Sequence, residues 1–190
     1  MKKLVLMIIS AMICIVAVIG NSLLGNSVET RMTMTVQAPG KISIGLQSSD
    51  NVTIDWGDGM SVILDGSAMY EKVRSVSIFT GRDTVITRLT AHEHVYTGTS
   101  VYTVTIAGTN ITALECSSDN KLTGLDVGKN TALTSFNCRN SQLTVAALNA
   151  LFETLLPAGN GKKRLLIGGN TGTDDCDRSI AENKGWVVVN

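Results

Sequence analysis

The sequence predicts a mainly β protein, in which a small antiparallel β-sandwich precedes a short repeat solenoid with an α/β cap at its C-terminal end. Three observations predict it: apolar residues alternate with period two in the first half, recur at every eleventh position later, and end in a helical stripe followed by short apolar runs. The predicted segments are a signal peptide (1–20), a linker (21–30), the sandwich (31–108), the repeats (109–144) and the cap (145–190).

The N-terminal segment has the composition of an export signal. Two lysines precede an apolar run from Leu4 to Ile19, which is interrupted by a single serine. As a helix this run spans about 24 Å, less than the ~30 Å hydrocarbon core of a bilayer. We therefore predict cleavage near Asn21, with an uncleaved membrane anchor and a lipid-anchored Cys14 as alternatives. Each alternative places the chain outside the bacterial cytoplasm, secreted or at the cell surface.

The sandwich is predicted from alternation. Successive side chains of a strand point to opposite faces, so a half-buried strand alternates apolar and polar residues. Turn-forming residues separate the alternating runs at intervals of roughly 8–12 residues, which predicts six or seven antiparallel strands. The runs are Met32–Val36, Ile42–Leu46, Val52–Trp56, Val76–Ile78 and Tyr102–Ile106.

The repeats are predicted from a fixed spacing. A short fixed period means stacked turns, each of which buries its apolar side against its neighbours. Cys116 and Cys138 should then occupy equivalent inward positions on adjacent coils, as buried thiols, with a disulfide between them as the alternative. Three sets of apolar residues share the spacing of eleven: Ile111, Leu122 and Leu133; Leu114, Leu125 and Phe136; Cys116, Val127 and Cys138.

The C-terminal cap is predicted from a change of period. A helical stripe begins at Val145 and ends before Pro157, and shorter apolar runs follow it. Such a unit would cover the exposed end of a solenoid. The predicted elements are a helix over Val145–Leu156, a strand over Arg164–Ile167, a helix over Asp174–Lys184 and a strand over Trp186–Val189.

Both halves resemble known families. Leu114-Glu-Cys116 and Leu125-Asp-Val127-Gly-Lys-Asn130 resemble the leucine-rich repeats of anaerobic bacterial surface proteins, in which two half-repeats of equal length form one coil. That resemblance implies that Asn130 and Asn140 bond the backbone along the turn. It also implies protein–protein contact or adhesion without a chemical step.

The N-terminal half has its own resemblance. Trp56-Gly57-Asp58-Gly59, followed by His94-Val-Tyr96 and Tyr102-Thr-Val104, is similar to the polycystic-kidney-disease (PKD) β-sandwich. This similarity covers roughly residues 30–108. It implies that His94 is a structural strand residue.

Composition and motifs argue against several other functions. Sixteen basic and sixteen acidic residues give zero net charge, so no basic face is available for nucleic acid. His92 and His94 share a strand face but lack a third ligand at zinc spacing, and we predict no metal. We expect Asp58 to accept backbone N–H groups in a tight turn, and Gly168-Gly169 to form a turn rather than a phosphate loop. No nucleophile has a visible base, so we predict no enzyme activity and no cofactor.

The predicted function is a non-catalytic, exported or cell-surface binding or adhesion module that contacts a partner protein through its repeats. One alternative is carbohydrate recognition as an accessory of a surface glycan-utilisation system. Another is a spacer, or the remnant of a longer adhesin. The ligand is an unidentified protein or glycan outside the cell, and only the signal or anchor segment would contact a membrane. The candidate binding residues are Thr112, Glu115, Ser117, Thr134, Asn137 and Arg139.

Overall fold

A computed structural model describes residues 30–76, 83–116 and 121–190. The predicted signal peptide, nearly all of the linker, and Ile78 of a predicted strand lie outside these ranges. Within them, no helix is long and apolar enough to cross a membrane. The elements are β1 (Thr30–Gln37), β2 (Gly40–Gln47), β3 (Val52–Asp55), β4 (Ser61–Leu64), a 3₁₀ turn (Gly66–Ala68), β5 (Tyr70–Val76), β6 (Asp83–Leu89), β7 (Ala91–Tyr96), β8 (Val101–Gly108), β9 (Ala113–Glu115), β10 (Leu122–Asp126), β11 (Ser135–Asn137), α1 (Val145–Thr154), β12 (Lys163–Leu166), α2 (Ser179–Glu182) and β13 (Trp186–Val189).

The strands form two large sheets and a separate hairpin, so the predicted mainly β class is confirmed. One sheet has the order β10-β1-β8-β3-β4 and the other β13-β12-β11-β9-β2-β7, while β5 pairs with β6. The five-stranded sheet is antiparallel throughout. The six-stranded sheet is antiparallel across β9-β2-β7 and parallel across β9-β11-β12-β13.

Strand pairing continues across residue 108, where the sequence changes period. β1 lies between β8 and β10, so Met34 pairs with Val104 on one side and Leu125 on the other. β2 likewise lies between β7 and β9. The buried apolar residues before and after residue 108 belong to one hydrophobic cluster. The two halves of the chain therefore share a core.

Successive repeats of the eleven-position spacing alternate between the two sheets. Leu114 on β9 pairs with Phe136 on β11, two repeats later, in the parallel part of the six-stranded sheet. Leu125, midway between them in sequence, pairs with Met34 in the five-stranded sheet. Residues one repeat apart thus reach the core from opposite sheets, and residues two repeats apart are neighbours in one sheet.

The C-terminal elements follow the prediction except at the second helix. α1 begins where expected, and the Thr144 hydroxyl accepts from the Ala147 N–H as its N-cap. The helix predicted over Asp174–Lys184 is wrong in extent, because only Ser179–Glu182 is α-helical. Asp177 accepts from both the N–H and the hydroxyl of Ser179, which starts the helix there rather than earlier.

Two further observations concern a predicted turn and two strands that were not predicted. The Gly168-Gly169 segment is a turn, as predicted, and the nearby Gly172 N–H donates to the carbonyl of Leu143. β4 and β6 are strands that the alternation did not predict.

Candidate functional site

The parallel strands β9, β11, β12 and β13 form one continuous surface on the side of the sheet that faces away from the core. Leu114, Phe136 and Leu165 are buried on the core side, so the residues that alternate with them face outward. Register places Ser135 between Ala113 and Arg164, and Asn137 between Glu115 and Leu166. We call this surface the ladder face: Ala113, Glu115, Ser135, Asn137, Arg164, Leu166, Val187 and Val189.

The structure places the candidate residues at the two ends of these short strands. Before the strands, the exposed Thr134 donates its hydroxyl to the carbonyl of Thr112, at 3.0 Å. On the strands, the Asn137 amide donates to a Glu115 carboxylate oxygen at 3.1 Å. The half-buried Arg139 follows β11, and its backbone N–H donates to Asn137 Oδ1.

Not every candidate is equally available to a partner. Thr134 is exposed, whereas Thr112, Glu115, Asn137 and Arg139 are half-buried. The Arg139 Nε atom is buried and has no hydrogen-bond partner among the residues that the structure describes. Ser117 lies outside those residues.

Buried asparagine side chains bond the backbone between neighbouring strands. Asn130 donates to the carbonyl of Ile111 at 3.0 Å and accepts from the N–H of Ala132. Asn170 makes four such bonds. Its Oδ1 accepts from the backbone N–H groups of Ser141 and Leu143. Its Nδ2 donates to the carbonyls of Cys138 and Ile167.

The prediction for Asn130 is confirmed, and the one for Asn140 is wrong. Asn140 is exposed with φ 54°, so it makes a turn instead. The buried position is one residue later: Ser141 donates its hydroxyl to the carbonyl of Cys116 at 2.8 Å. The sequence contains the missed signal, because Asn130, Ser141 and Asn170 each come three residues after Val127, Cys138 and Ile167.

The cysteines are confirmed as buried thiols. Cys116, Cys138 and Cys176 are free and buried. The Cys116 Sγ donates to the carbonyl of Asn137, and the Cys138 Sγ to that of Leu166. Burial raises the pKa of the Cys138 thiol to about 12 and also raises the pKa of Cys116. These thiols stay protonated at neutral pH and are poor nucleophiles.

A stack of aromatic rings holds the β3–β4 turn in residues 30–108, which we call the antiparallel half because its strands pair with one another antiparallel. The rings of Trp56 and His94 stack at 4.9 Å, Tyr96 meets His94 edge-on at 4.6 Å, and Tyr102 stacks on Tyr96 at 4.5 Å. The Tyr96 hydroxyl donates to the carbonyl of Trp56 at 2.7 Å, and burial raises its pKa.

Asp58 closes the same turn. It accepts from the backbone N–H of Met60, as predicted, and its other oxygen lies 2.7 Å from His94 Nε2. Burial opposes its ionisation, but these two hydrogen bonds outweigh that effect and lower the pKa of Asp58. Asp58 and His94 are thus both engaged within the fold, which suits a structural role.

His92 is the second histidine on the inward side of β7. Its Nε2 is buried and finds no hydrogen-bond partner in the described part of the chain. Burial lowers the pKa of His92, so the neutral form is favoured. Nowhere in residues 30–76, 83–116 and 121–190 do three His, Cys, Asp or Glu side chains come together as a metal site.

A polar cavity of about 330 Å³ opens where the two halves of the chain meet. Its walls come from the loop after β2 and the loop between β8 and β9, and we call it the junction pocket. Thr112 belongs both to it and to the candidate binding residues. The lining residues are Gln47, Ser48, Ser49, Asn110 and Thr112.

No protein-family model, curated protein or solved structure matches the chain. The resemblances to leucine-rich repeats and to the PKD sandwich therefore stay predictions.

Proposed function

We propose that the chain is a non-catalytic, exported module that binds a partner protein through its ladder face and the adjoining loop residues. In this proposal the first half is a PKD-like sandwich, and the later strands are a short leucine-rich-repeat solenoid with a C-terminal cap. The export signal that the sequence predicts would place the module on or outside the cell. Function is assigned to a surface here because the buried thiols and the engaged Asp58–His94 pair offer no reactive group.

The observation that supports this proposal best is the rigid presentation of polar side chains. β9 and β11 are three residues long, yet their outward side chains are fixed by contacts between neighbouring strands. Asn137 is bonded to Glu115, and Thr134 to the Thr112 carbonyl. Side chains that are already ordered lose less conformational entropy on binding, which favours recognition by a broad face.

The charge of this surface indicates the chemistry of its partner. Glu115 is acidic and Arg164 is basic, while Ser135 and Asn137, which lie beside them in register, are neutral and polar. Apolar area is added toward the β13 end, where Val187 is 54% exposed. A mixed surface of this kind suits a folded protein with both polar and apolar contacts better than a polyanion.

The test is binding of the purified full chain to immobilised collagen, fibronectin and fibrinogen. A ladder-face variant would combine Thr134→Ala, Asn137→Ala and Arg139→Ala. A matched control would combine Thr33→Ala, Thr103→Ala and Thr105→Ala on the outer side of the five-stranded sheet. We expect a saturable partner whose affinity falls about tenfold or more in the ladder-face variant and stays unchanged in the control. Equal loss in both variants, or binding by neither variant nor the parent chain, would contradict the proposal.

A further inference from the structure

We propose that the junction pocket binds a neutral, hydroxyl-rich ligand, namely a single sugar unit. This site adjoins the partner-binding surface proposed above and shares Thr112 with it. Its five lining residues have amide or hydroxyl side chains and carry no formal charge. Its volume of about 330 Å³ falls at the small end of the range typical of ligand pockets.

The walls of the pocket are held by side-chain hydrogen bonds between the two loops. Ser48, which is 2% exposed, donates its hydroxyl to the carbonyl of Thr109 at 2.8 Å. The hydroxyl of Thr109 and the amide of Asn110 donate to the same oxygen of Asp50, at 2.6 and 2.7 Å. Thr112 in turn donates its backbone N–H to the carbonyl of Gln47. These bonds fix the two loops, so the pocket is shaped before a ligand arrives.

Asn110 links the turn of this loop to the wall of the pocket. Its φ of 51° lies in the left-handed region, which asparagine adopts more readily than most residues other than glycine. Glycine would also accept this conformation but would remove the amide that reaches Asp50 and borders the pocket.

The polarity of the site selects among classes of ligand. An apolar ligand would cover the Gln47 amide and the Ser49 hydroxyl, which make no hydrogen bond within the described residues, and burying them unpaired is costly. An anion would approach the Asp50 carboxylate, whose hydrogen bonds from Thr109 and Asn110 lower its pKa and keep it charged. A sugar can donate hydroxyl protons to carbonyl and carboxylate oxygens and accept from amides, so it matches donors and acceptors of both kinds.

The experiment is a titration of the ¹⁵N-labelled full chain followed by amide chemical shifts. The probes are glucose, galactose, mannose and N-acetylglucosamine, with glucuronate, inorganic phosphate and calcium chloride in parallel. We expect at least one neutral sugar to shift the amides of Ser48, Ser49, Asn110 and Thr112 saturably. Asn110→Gly, which accepts the backbone conformation, should raise the Kd roughly fivefold to tenfold, as expected for a lost hydrogen bond. Arg139→Ala, at the loop after β11, should leave the Kd unchanged.

Several results would overturn the inference. One is a titration in which no neutral sugar changes the chemical shifts of the pocket amides. Another is saturable shifts from phosphate, glucuronate or calcium alone, which would assign the site to an ion. A sugar whose Kd is the same for Asn110→Gly and the parent chain would place its binding elsewhere. Because Arg139→Ala should weaken only the proposed protein contact, failure of one proposal can be told from failure of the other.

Discussion

The two halves of the molecule satisfy their backbone polar groups in different ways. The antiparallel half uses long ladders, and β1 alone pairs over eight residues with β8. The parallel half, by which we mean β9, β11, β12 and β13 with the turns that follow them, has strands of only three or four residues. Buried amide and hydroxyl side chains bond backbone groups that these short strands leave unpaired. Hydrogen bonding is therefore spread over many residues in one half and concentrated in a few in the other. Single substitutions at Asn170 should accordingly cost more than any single substitution in the antiparallel ladders.

The largest expected effect is at Asn170. Asn170→Ala leaves the N–H groups of Ser141 and Leu143 and the carbonyls of Cys138 and Ile167 without this partner. We expect the free energy of unfolding to fall by about 3–5 kcal/mol, since each unpaired buried group carries a desolvation penalty. Urea denaturation followed by tryptophan fluorescence measures it.

The control for this substitution is Asn140→Gly, at the exposed residue with positive φ. It should change stability by less than about 0.5 kcal/mol.

Trp56 lies in the antiparallel half and Trp186 in the parallel half, and the two halves share a core. Single-tryptophan variants should therefore report one common unfolding midpoint. A transition seen by Trp186 and not by Trp56 would show that the halves unfold separately.

The second effect tests whether the antiparallel half has an equally sensitive point. At Gly57 φ is 79°, and an added Cβ would clash with the carbonyl oxygen of Thr103. Gly57→Ala should cost about 3 kcal/mol through left-handed strain and displacement of β8. Gly59, two residues later, has φ 93° and no atom within 4 Å of an added Cβ. Gly59→Ala should cost only about 1–2 kcal/mol from strain. Equal costs in thermal or urea unfolding would contradict the predicted contact.

The sequence predicts the class of the fold better than the partners of its side chains. Period two and the eleven-position spacing follow directly from which side chains face the core, so strands such as β1, β2 and β8 lie where expected. The leucine-rich-repeat motif contains an asparagine and therefore led to Asn140. In the structure the buried side chain that bonds the backbone comes three residues after the inward Cys138, and that residue is Ser141. The difference is one of register, because a shift of one residue exchanges inward and outward positions.

The junction pocket could not be predicted from the chain. It forms because β2 pairs with β9 across a long stretch of sequence, which brings the loop at Ser48 beside that at Asn110. Neither loop has a distinctive motif, since serine, asparagine and threonine are ordinary turn residues. Long-range pairing, rather than local pattern, creates the site.

The third effect is smaller and lies within the aromatic stack. Tyr96→Phe removes the hydroxyl that donates to the Trp56 carbonyl, and should reduce the free energy of unfolding by about 1–1.5 kcal/mol. Tyr102 stacks on the same ring and is half-buried. Tyr102→Phe should cost less than about 0.5 kcal/mol. Equal losses for the two variants in urea denaturation would contradict the predicted contribution of the hydrogen bond from Tyr96 to Trp56.

The smallest expected effect is a change of stability with pH. It arises in the antiparallel half, because both histidines of the chain lie on β7. Burial lowers the pKa of His92 below its ordinary value of 6.5. As the pH falls through 6.5, the unfolded chain binds a proton that the folded chain does not, so stability decreases until the pH reaches the folded pKa. His92→Gln removes this contribution, and we expect its urea midpoint to decline less than that of the parent between neutral and mildly acidic pH. Parallel declines would mean that His92 can be protonated without cost, and that the Nε2 atom has a partner or open space in solution. The difference should be seen equally by Trp56 and Trp186, because a proton taken up beside one sheet weakens both halves through their common core.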